Sequence, residues 1–208
     1  MEGPGTVRNC LIRNCSGNVG GGIYFYNAPG TADNCTVVYN DARTGSGEGI
    51  YAANASLIRN CIVRFNPSPG ESWNFSGSAV WTNCATWPSI GAGCVTSDPL
   101  LVSAPDDCRL SLDSPCRNAG TNQAWMAAGT DIAGIPRIQH TSADIGAYET
   151  DYAYVSLSGT NLPPYDSWSN AAVRVQDAVN IVGDYGVGLL TNGLFDFSHT
   201  TEVRVTRP

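Results

Sequence analysis

One short motif recurs along this chain and dictates what it can fold into. Asn9-Cys10-Leu11-Ile12-Arg13-Asn14 returns as Asn34-Cys35-Thr36-Val37-Val38-Tyr39-Asn40 and again as Asn60-Cys61-Ile62-Val63-Arg64-Phe65-Asn66. It decays to Asn83-Cys84-Ala85-Thr86. The cysteines of these copies are 25, 26 and 23 residues apart. A second motif, Gly22-Ile23-Tyr24 and Gly49-Ile50-Tyr51, repeats after 27. Two independent motifs on one period, with short β-rich runs and no helix signal between them, predict one coil of a parallel β-helix per repeat. Leucine-rich repeats have a similar length but need a leucine skeleton that is missing here.

Period-2 alternation assigns the faces of each coil. Val7, Cys10 and Ile12 point inward; Arg8, Leu11 and Arg13 point outward. Asn9 makes the bend, because asparagine tolerates a left-handed backbone and its amide bonds to nearby backbone groups. Stacked ~4.8 Å apart, the bend asparagines are expected to form an amide ladder. Cys10, Cys35 and Cys61 fall in one inward column as buried thiols, since parallel Cβ vectors suit a disulfide poorly. Any disulfides are expected among Cys84, Cys94, Cys108 and Cys116, where Pro67, Pro69, Pro88, Pro99, Pro105 and Pro115 break regular strands.

Composition narrows the chemistry. The 208 residues carry a net charge of -7, which argues against a nucleic-acid binder with its basic face. No apolar run approaches the length of a membrane span. All eleven basic residues are arginine, so lysine Schiff bases and phosphate-loop lysines are excluded. The histidines are His140 and His199, too few for a multi-histidine metal site. Eight cysteines without a CxxC pair suggest an extracellular protein rather than a zinc or thioredoxin site. No signal peptide precedes Gly5, so the secretion signal is expected outside this stretch.

Downstream of the coils, Asp98-Pro99-Leu100-Leu101-Val102, Ser114-Pro115-Cys116-Arg117-Asn118-Ala119-Gly120, Thr130-Asp131-Ile132-Ala133-Gly134-Ile135-Pro136-Arg137 and Ala143-Asp144-Ile145-Gly146-Ala147-Tyr148-Glu149 follow in order. These residues resemble the closing region of bacterial secreted right-handed parallel β-helix proteins of the choice-of-anchor Q domain type. The upstream coils are similar to those of the pectate-lyase-like superfamily. The resemblance covers about residues 5–150 and implies an all-β, right-handed parallel β-helix and secretion, but no particular reaction. Residues 151–208 resemble the opposite end of such a protein: an opening strand, a capping α-helix near 169–182 and a first coil. The expected organisation is therefore coils over 1–90, a closing region over 91–150 and a cap-like segment over 151–208.

The helix stripe of Ala171, Val175, Ala178, Val179 and Val182 would begin at a Ser169 or Asn170 cap and stop at Gly183. It is expected to need an apolar partner. Docking on the first coil near Gly5–Asn9 would supply one, either in cis or, the favoured arrangement, in trans as a swapped dimer or an open filament.

Three groups are candidates for chemistry. Arg8, Arg13, Arg59 and Arg64 share the outer face and suit the carboxylates or sulfates of an acidic glycan, unless Arg8, Asp33 and Arg59 merely form an ion-pair ladder. Tyr24 and Tyr51, with Phe25, Tyr26, Tyr39, Trp73, Trp81 and Trp87, offer ring faces for sugars, unless they pack inward. Asp131, Arg137, His140, Asp144 and Glu149 could supply acid–base catalysis, unless they cap the closing turns. The expected function is a structural or adhesive β-helix module, bound to a polysaccharide or acidic glycan and self-associating through residues 151–208. The alternative is a polysaccharide lyase or glycoside hydrolase on the same scaffold. No cofactor or metal is expected, save calcium held by aspartates if the chain is a lyase.

Overall fold

The fold was read from a computed structural model, which describes residues 5–43, 46–67, 74–139, 141–183 and 186–191. The chain forms two compact units, Met1–Thr150 and Asp151–Pro208. Among the described residues it consists mostly of strands in parallel sheets, with one short α-helix.

In the first unit three successive repeats each contribute one strand to each of three parallel sheets, and a fourth adds strands to the first two. The first sheet stacks β1 (Thr6–Arg8), β5 (Thr31–Asp33), β9 (Leu57–Arg59) and β12 (Val80–Thr82) in that order. The second stacks β2 (Leu11–Arg13), β6 (Thr36–Val38), β10 (Ile62–Arg64) and β13 (Ala85–Thr86). The third stacks β4 (Ile23–Phe25), β8 (Ile50–Ala52) and β11 (Phe75–Gly77), and a short pair joins β3 (Ser16–Gly17) to β7 (Asp41–Ala42).

Register is strict, so equivalent residues of successive repeats lie side by side. Val7, Ala32, Ile58 and Trp81 make one inward row. Ile12, Val37 and Val63 make another, and Ile23, Ile50 and Phe75 a third. Cys10, Cys35, Cys61 and Cys84 pack into the same core. Complete burial of each isoleucine or valine in such a row contributes about 1.5–3 kcal/mol.

Left-handed bends join the first sheet to the second. Asn9, Asn34, Asn60 and Asn83 have φ of 51°, 49°, 51° and 49°. Each can adopt this conformation because a short amide side chain relieves the steric cost that larger residues bear there. The amide ladder expected along these bends is nearly absent, with one link from Asn60 Nδ2 to Asn34 Oδ1 at 3.3 Å. A continuous ladder runs instead through Asn40, Asn66 and Asn74, all buried. Asn40 Nδ2 donates to Asn66 Oδ1, and Asn66 Nδ2 to Asn74 Oδ1, each at 3.1 Å. These amides face away from water and must satisfy one another, whereas the bend asparagines have other partners.

Those partners belong to residues 97–149, which lie along the side of the coil stack. Asn9 Nδ2 donates to Thr130 O, Asn34 Nδ2 to Asp144 O, Asn60 Nδ2 to Thr121 O and Asn83 Nδ2 to Ala119 O. An antiparallel pair, β14 (Leu101–Ser103) and β15 (Asp107–Leu110), belongs to this segment. It buries the outer face of the second sheet. Val38, Ile62 and Ala85 pack with Cys108, Leu110, Cys116 and Ile145 in a second core, flanked by Leu11. The outward positions of the second sheet, Leu11 included, are thus covered rather than solvated. Gly146 makes the approach possible: its φ is 112°, and a Cβ there would sit 2.7 Å from Ile62 Cδ1.

The second unit pairs β16 (Tyr152–Val155) in parallel with β17 (Val187–Leu190). Its helix, α1, spans Val175–Val179, not 169–182. Residues 168–170 form a turn instead, bonded to the chain around 160–162. Thr160 N bonds Ser169 O, Leu162 N bonds Asn170 O, Asn161 N bonds Ala171 O, and Ala172 pairs with Val155. Backbone partners outcompete helix propensity there. The apolar stripe finds its partner within the unit, since Ala153, Val155, Tyr165, Ala172 and Ala178 form a core with Val175 and Val182 against it.

If the buried amide ladder holds the coils in register, Asn66→Ala should destabilise the fold by about 3 kcal/mol, because it strands buried donors and acceptors on both neighbouring rungs. Urea unfolding checks this, and a loss below about 1 kcal/mol would reduce the ladder to a bystander.

Candidate functional site

The acidic residues of the closing segment converge, but on the backbone. Asp131 Oδ1 accepts from Ala133 N and Ile135 N at 2.7 and 2.9 Å, and its Oδ2 accepts from Glu149 N. Asp144 Oδ1 accepts from Asn118 N, and its Oδ2 from Thr150 N and Thr150 Oγ1. Both oxygens of Glu149 accept from Asp144 N at 3.0 Å. Arg137 Nη2 lies 3.0 Å from Glu149 Oε1 and donates to Asp144 O and Gly146 O. The side chains of Arg137 and Glu149 are 0% and 1% exposed, which leaves a sugar no surface to meet. His140 lies outside the described residues.

This cluster is electrostatically dense. Burial, reinforced by the Asp144 charge, pushes the Glu149 carboxyl up to about 9, with Arg137 pulling the other way. Burial also raises Asp144 and lowers Arg137. Among the described residues no group of three or more His, Cys, Asp or Glu side chains is arranged to hold a metal ion.

The arginines divide between two sheets, and each has an intramolecular partner. Arg8 and Arg59 on the first sheet both bond Asp33, whose side chain is completely buried between them. Arg59 does so with Nε at 2.8 Å and Nη2 at 3.1 Å. The Arg8 guanidinium also lies 4.4 Å from the ring centroid of Trp125, on a 3-10 helix at Ala124–Ala128. On the second sheet Arg13 donates to Pro105 O and reaches Asp106, while Arg64 donates to Thr96 O and lies over the Phe65 ring.

Tyr24 and Tyr51 occupy the third sheet, the first exposed and the second half-buried, and Tyr26 follows the first strand. Tyr24 and Tyr51 are opposite one another in register, and Ser76 follows Tyr51. The Tyr24 centroid lies 5.2 Å from that of Tyr51, edge-on, and 5.3 Å from that of Tyr26. Tyr24 is 41% exposed and Tyr26 54%. Alternation explains the division, because Phe25 between them points inward and is buried. Trp81 is likewise a core residue, packed on Phe75; Tyr39 stacks on Phe65; Trp73 lies outside the described residues. The structure therefore does not bring the candidate arginines and tyrosines together.

All eight cysteines are thiols. The four expected to supply disulfides do not share one site. Cys84 and Cys94 belong to the coil column, whereas Cys108 and Cys116 face the second core. Sequence reasoning missed Cys94 as a fifth member of that column. Its signal was present: Cys94-Val95-Thr96 repeats Cys84-Ala85-Thr86 after only ten residues. Trp125 was missed altogether, for it lies in a segment with no periodicity.

No family model, curated protein or solved structure matches this chain.

The buried acid cluster carries a sign that can be tested. A free glutamate titrates near ~4.3, so between that value and about 9 the folded state binds more protons at Glu149 than the unfolded chain does. Its contribution to stability is complete below the lower value and lost as pH rises through the upper one. Urea midpoints of the parent should therefore fall, relative to those of Glu149→Gln, from pH 5 to pH 9. A constant difference between the two proteins would disprove the assignment.

Proposed function

We propose that the first unit is a right-handed parallel β-helix of the secreted bacterial kind, and that it binds a polysaccharide through the tyrosine surface of its third sheet. The one-strand-per-repeat parallel sheets and the closing segment support the architecture. The contiguous rings of Tyr24 and Tyr26, both exposed, and the half-buried Tyr51 carry the functional reading. Aromatic faces offer the C–H faces of sugar rings a large apolar contact, while tyrosine hydroxyls remain available to hydroxyl partners. An open sheet face carrying adjacent rings suits an extended chain more than a small molecule, which prefers a concave site.

The same geometry ranks the alternatives. Recognition by stacking is favoured over recognition of acidic groups, because Arg8, Arg13, Arg59 and Arg64 already bond within the chain. A binding role is favoured over hydrolysis or elimination, because Asp131, Asp144 and Glu149 are buried acceptors of backbone N–H groups.

Affinity electrophoresis through gels containing xylan, β-glucan, pectate or alginate tests the reading. At least one polysaccharide should retard the protein. Tyr24→Ala and Tyr51→Ala should each weaken that binding about 3- to 10-fold, since an aromatic contact contributes ~0.5–1.5 kcal/mol beyond its area. Arg8→Ala should leave it unchanged. Retardation insensitive to both tyrosine variants, or none on any gel, would sink the proposal.

A further inference from the structure

We propose that Cys94 is a reactive thiol at the C-terminal end of a thiol column, and that a small-molecule disulfide converts Cys94 and Cys84 into an intramolecular disulfide. The column is continuous. Cys35 N donates to Cys61 Sγ, and Cys61 N to Cys84 Sγ, each at 3.4 Å. Cys94 occupies the next rung. Ala85 pairs in parallel with Val95, and Val95 N donates to Cys84 O at 2.8 Å. Adjacent rungs stand ~4.8 Å apart, within the ~4.4–6.8 Å Cα separation that a disulfide accepts.

The last rung differs from those below it. Cys35, Cys61 and Cys84 are completely buried, each just ahead of a regular strand of the second sheet whose register keeps the Cβ vectors parallel, which opposes a bond. Cys94 is half-buried, as is Cys10 at the opposite end, and no regular strand follows it: the backbone there is held by single bridges at Ala92 and Val95. Gly91 and Gly93 on its N-terminal side have φ of 79° and 67°, so the backbone there can re-aim the side chain at little steric cost. The Cys94 Sγ touches the Ile90 carbonyl, four residues back, which holds the sulfur at the mouth of the column. A hydrogen bond from the Cys84 thiol draws Cys94 down to about 7, while burial pushes Cys84 itself well up. Nucleophile and resolving thiol are thereby distinguished.

The chemistry balances as thiol–disulfide exchange. The Cys94 thiolate attacks one sulfur of R–S–S–R; that S–S bond breaks, RS⁻ leaves and a mixed disulfide forms. Cys84 then loses its proton and attacks Cys94 Sγ, expelling a second RS⁻. Two protein thiols are oxidised by two electrons, and the small disulfide is reduced to two thiols.

Cys15 is exposed and would react independently, so the test uses the full chain carrying Cys15→Ser. Native protein is mixed with 4,4′-dithiodipyridine. Two equivalents of 4-thiopyridone should be released rapidly, with no adduct retained, a mass loss of about 2 Da, and Cys84 joined to Cys94 in the peptide map. With Cys84→Ser added, the reaction should stop at one equivalent and a stable Cys94 adduct. With Cys94→Ser added, the rapid phase should disappear. A stable adduct on Cys94 in the presence of Cys84, or a rapid phase that survives Cys94→Ser, overturns the proposal. Because a core substitution at Cys84 can unfold the chain, iodoacetamide labelling without any Cys84 change provides the second measurement. Cys94 should be alkylated at least tenfold faster than Cys35, Cys61 and Cys84, and equal rates also overturn the proposal.

Discussion

In-register parallel stacking is the constraint from which the first unit follows. Each rung hydrogen-bonds to the rung about 25 residues away, so a side chain's neighbours are set by the repeat and not by local sequence. Any residue type kept at one position becomes a column. Aliphatic columns make a continuous core, thiols line one wall of it, and amides satisfy one another along a buried ladder. The arrangement depends on sharp corners, and the left-handed asparagines at 9, 34, 60 and 83 supply them. A β-branched residue at those corners would bear a steric cost of roughly 1–2 kcal/mol per rung.

The closing segment exists because one face of the stack is too apolar to be left wet. Val38, Ile62 and Ala85 present a nonpolar surface outward, and residues of 97–149 cover it. A covering chain without long strands of its own has many backbone N–H groups to satisfy. Asp131, Asp144 and Glu149 accept them, and Arg137 balances part of the resulting charge from within. Removing one member of such a buried set leaves uncompensated charge, a larger penalty than the net worth of the contact. Acids that stabilise a loop and acids that catalyse thus share composition and spacing, and differ in exposure.

That distinction explains what could be read beforehand. The repeat announced the parallel stacking of strands, the inward rows and the cysteine column, because a fixed period transmits register directly into space. Tyr24 and Phe25 were separable by alternation alone. The second core was not legible, since Leu11, Val38 and Ile62 follow an outward pattern whose cover has no periodicity. Likewise, the pattern at 169–182 favours a helix, but Ala172 pairs with Val155 and leaves only Val175–Val179 helical. Tertiary hydrogen bonds decide that competition, and they involve residues far apart in sequence. Cys94 escaped notice because its repeat is ten residues long instead of about 25.

Three faces of the coil stack compete to carry function, and packing eliminates two of them. The outer face of the second sheet is the wall of a core. The outer face of the first sheet holds Asp33 buried beneath Arg8 and Arg59, with Trp125 stacked on Arg8, so its charges are mutually satisfied. On the third sheet, among the described residues, Tyr24, Tyr26 and Tyr51 remain partly in water with no ion pair or apolar cover upon them. Leaving two large rings about half exposed on a rigid stack forgoes burial that the fold makes everywhere else. A partner packed on those rings would recover it, and Tyr24 and Tyr51 stand on adjacent rungs ~4.8 Å apart.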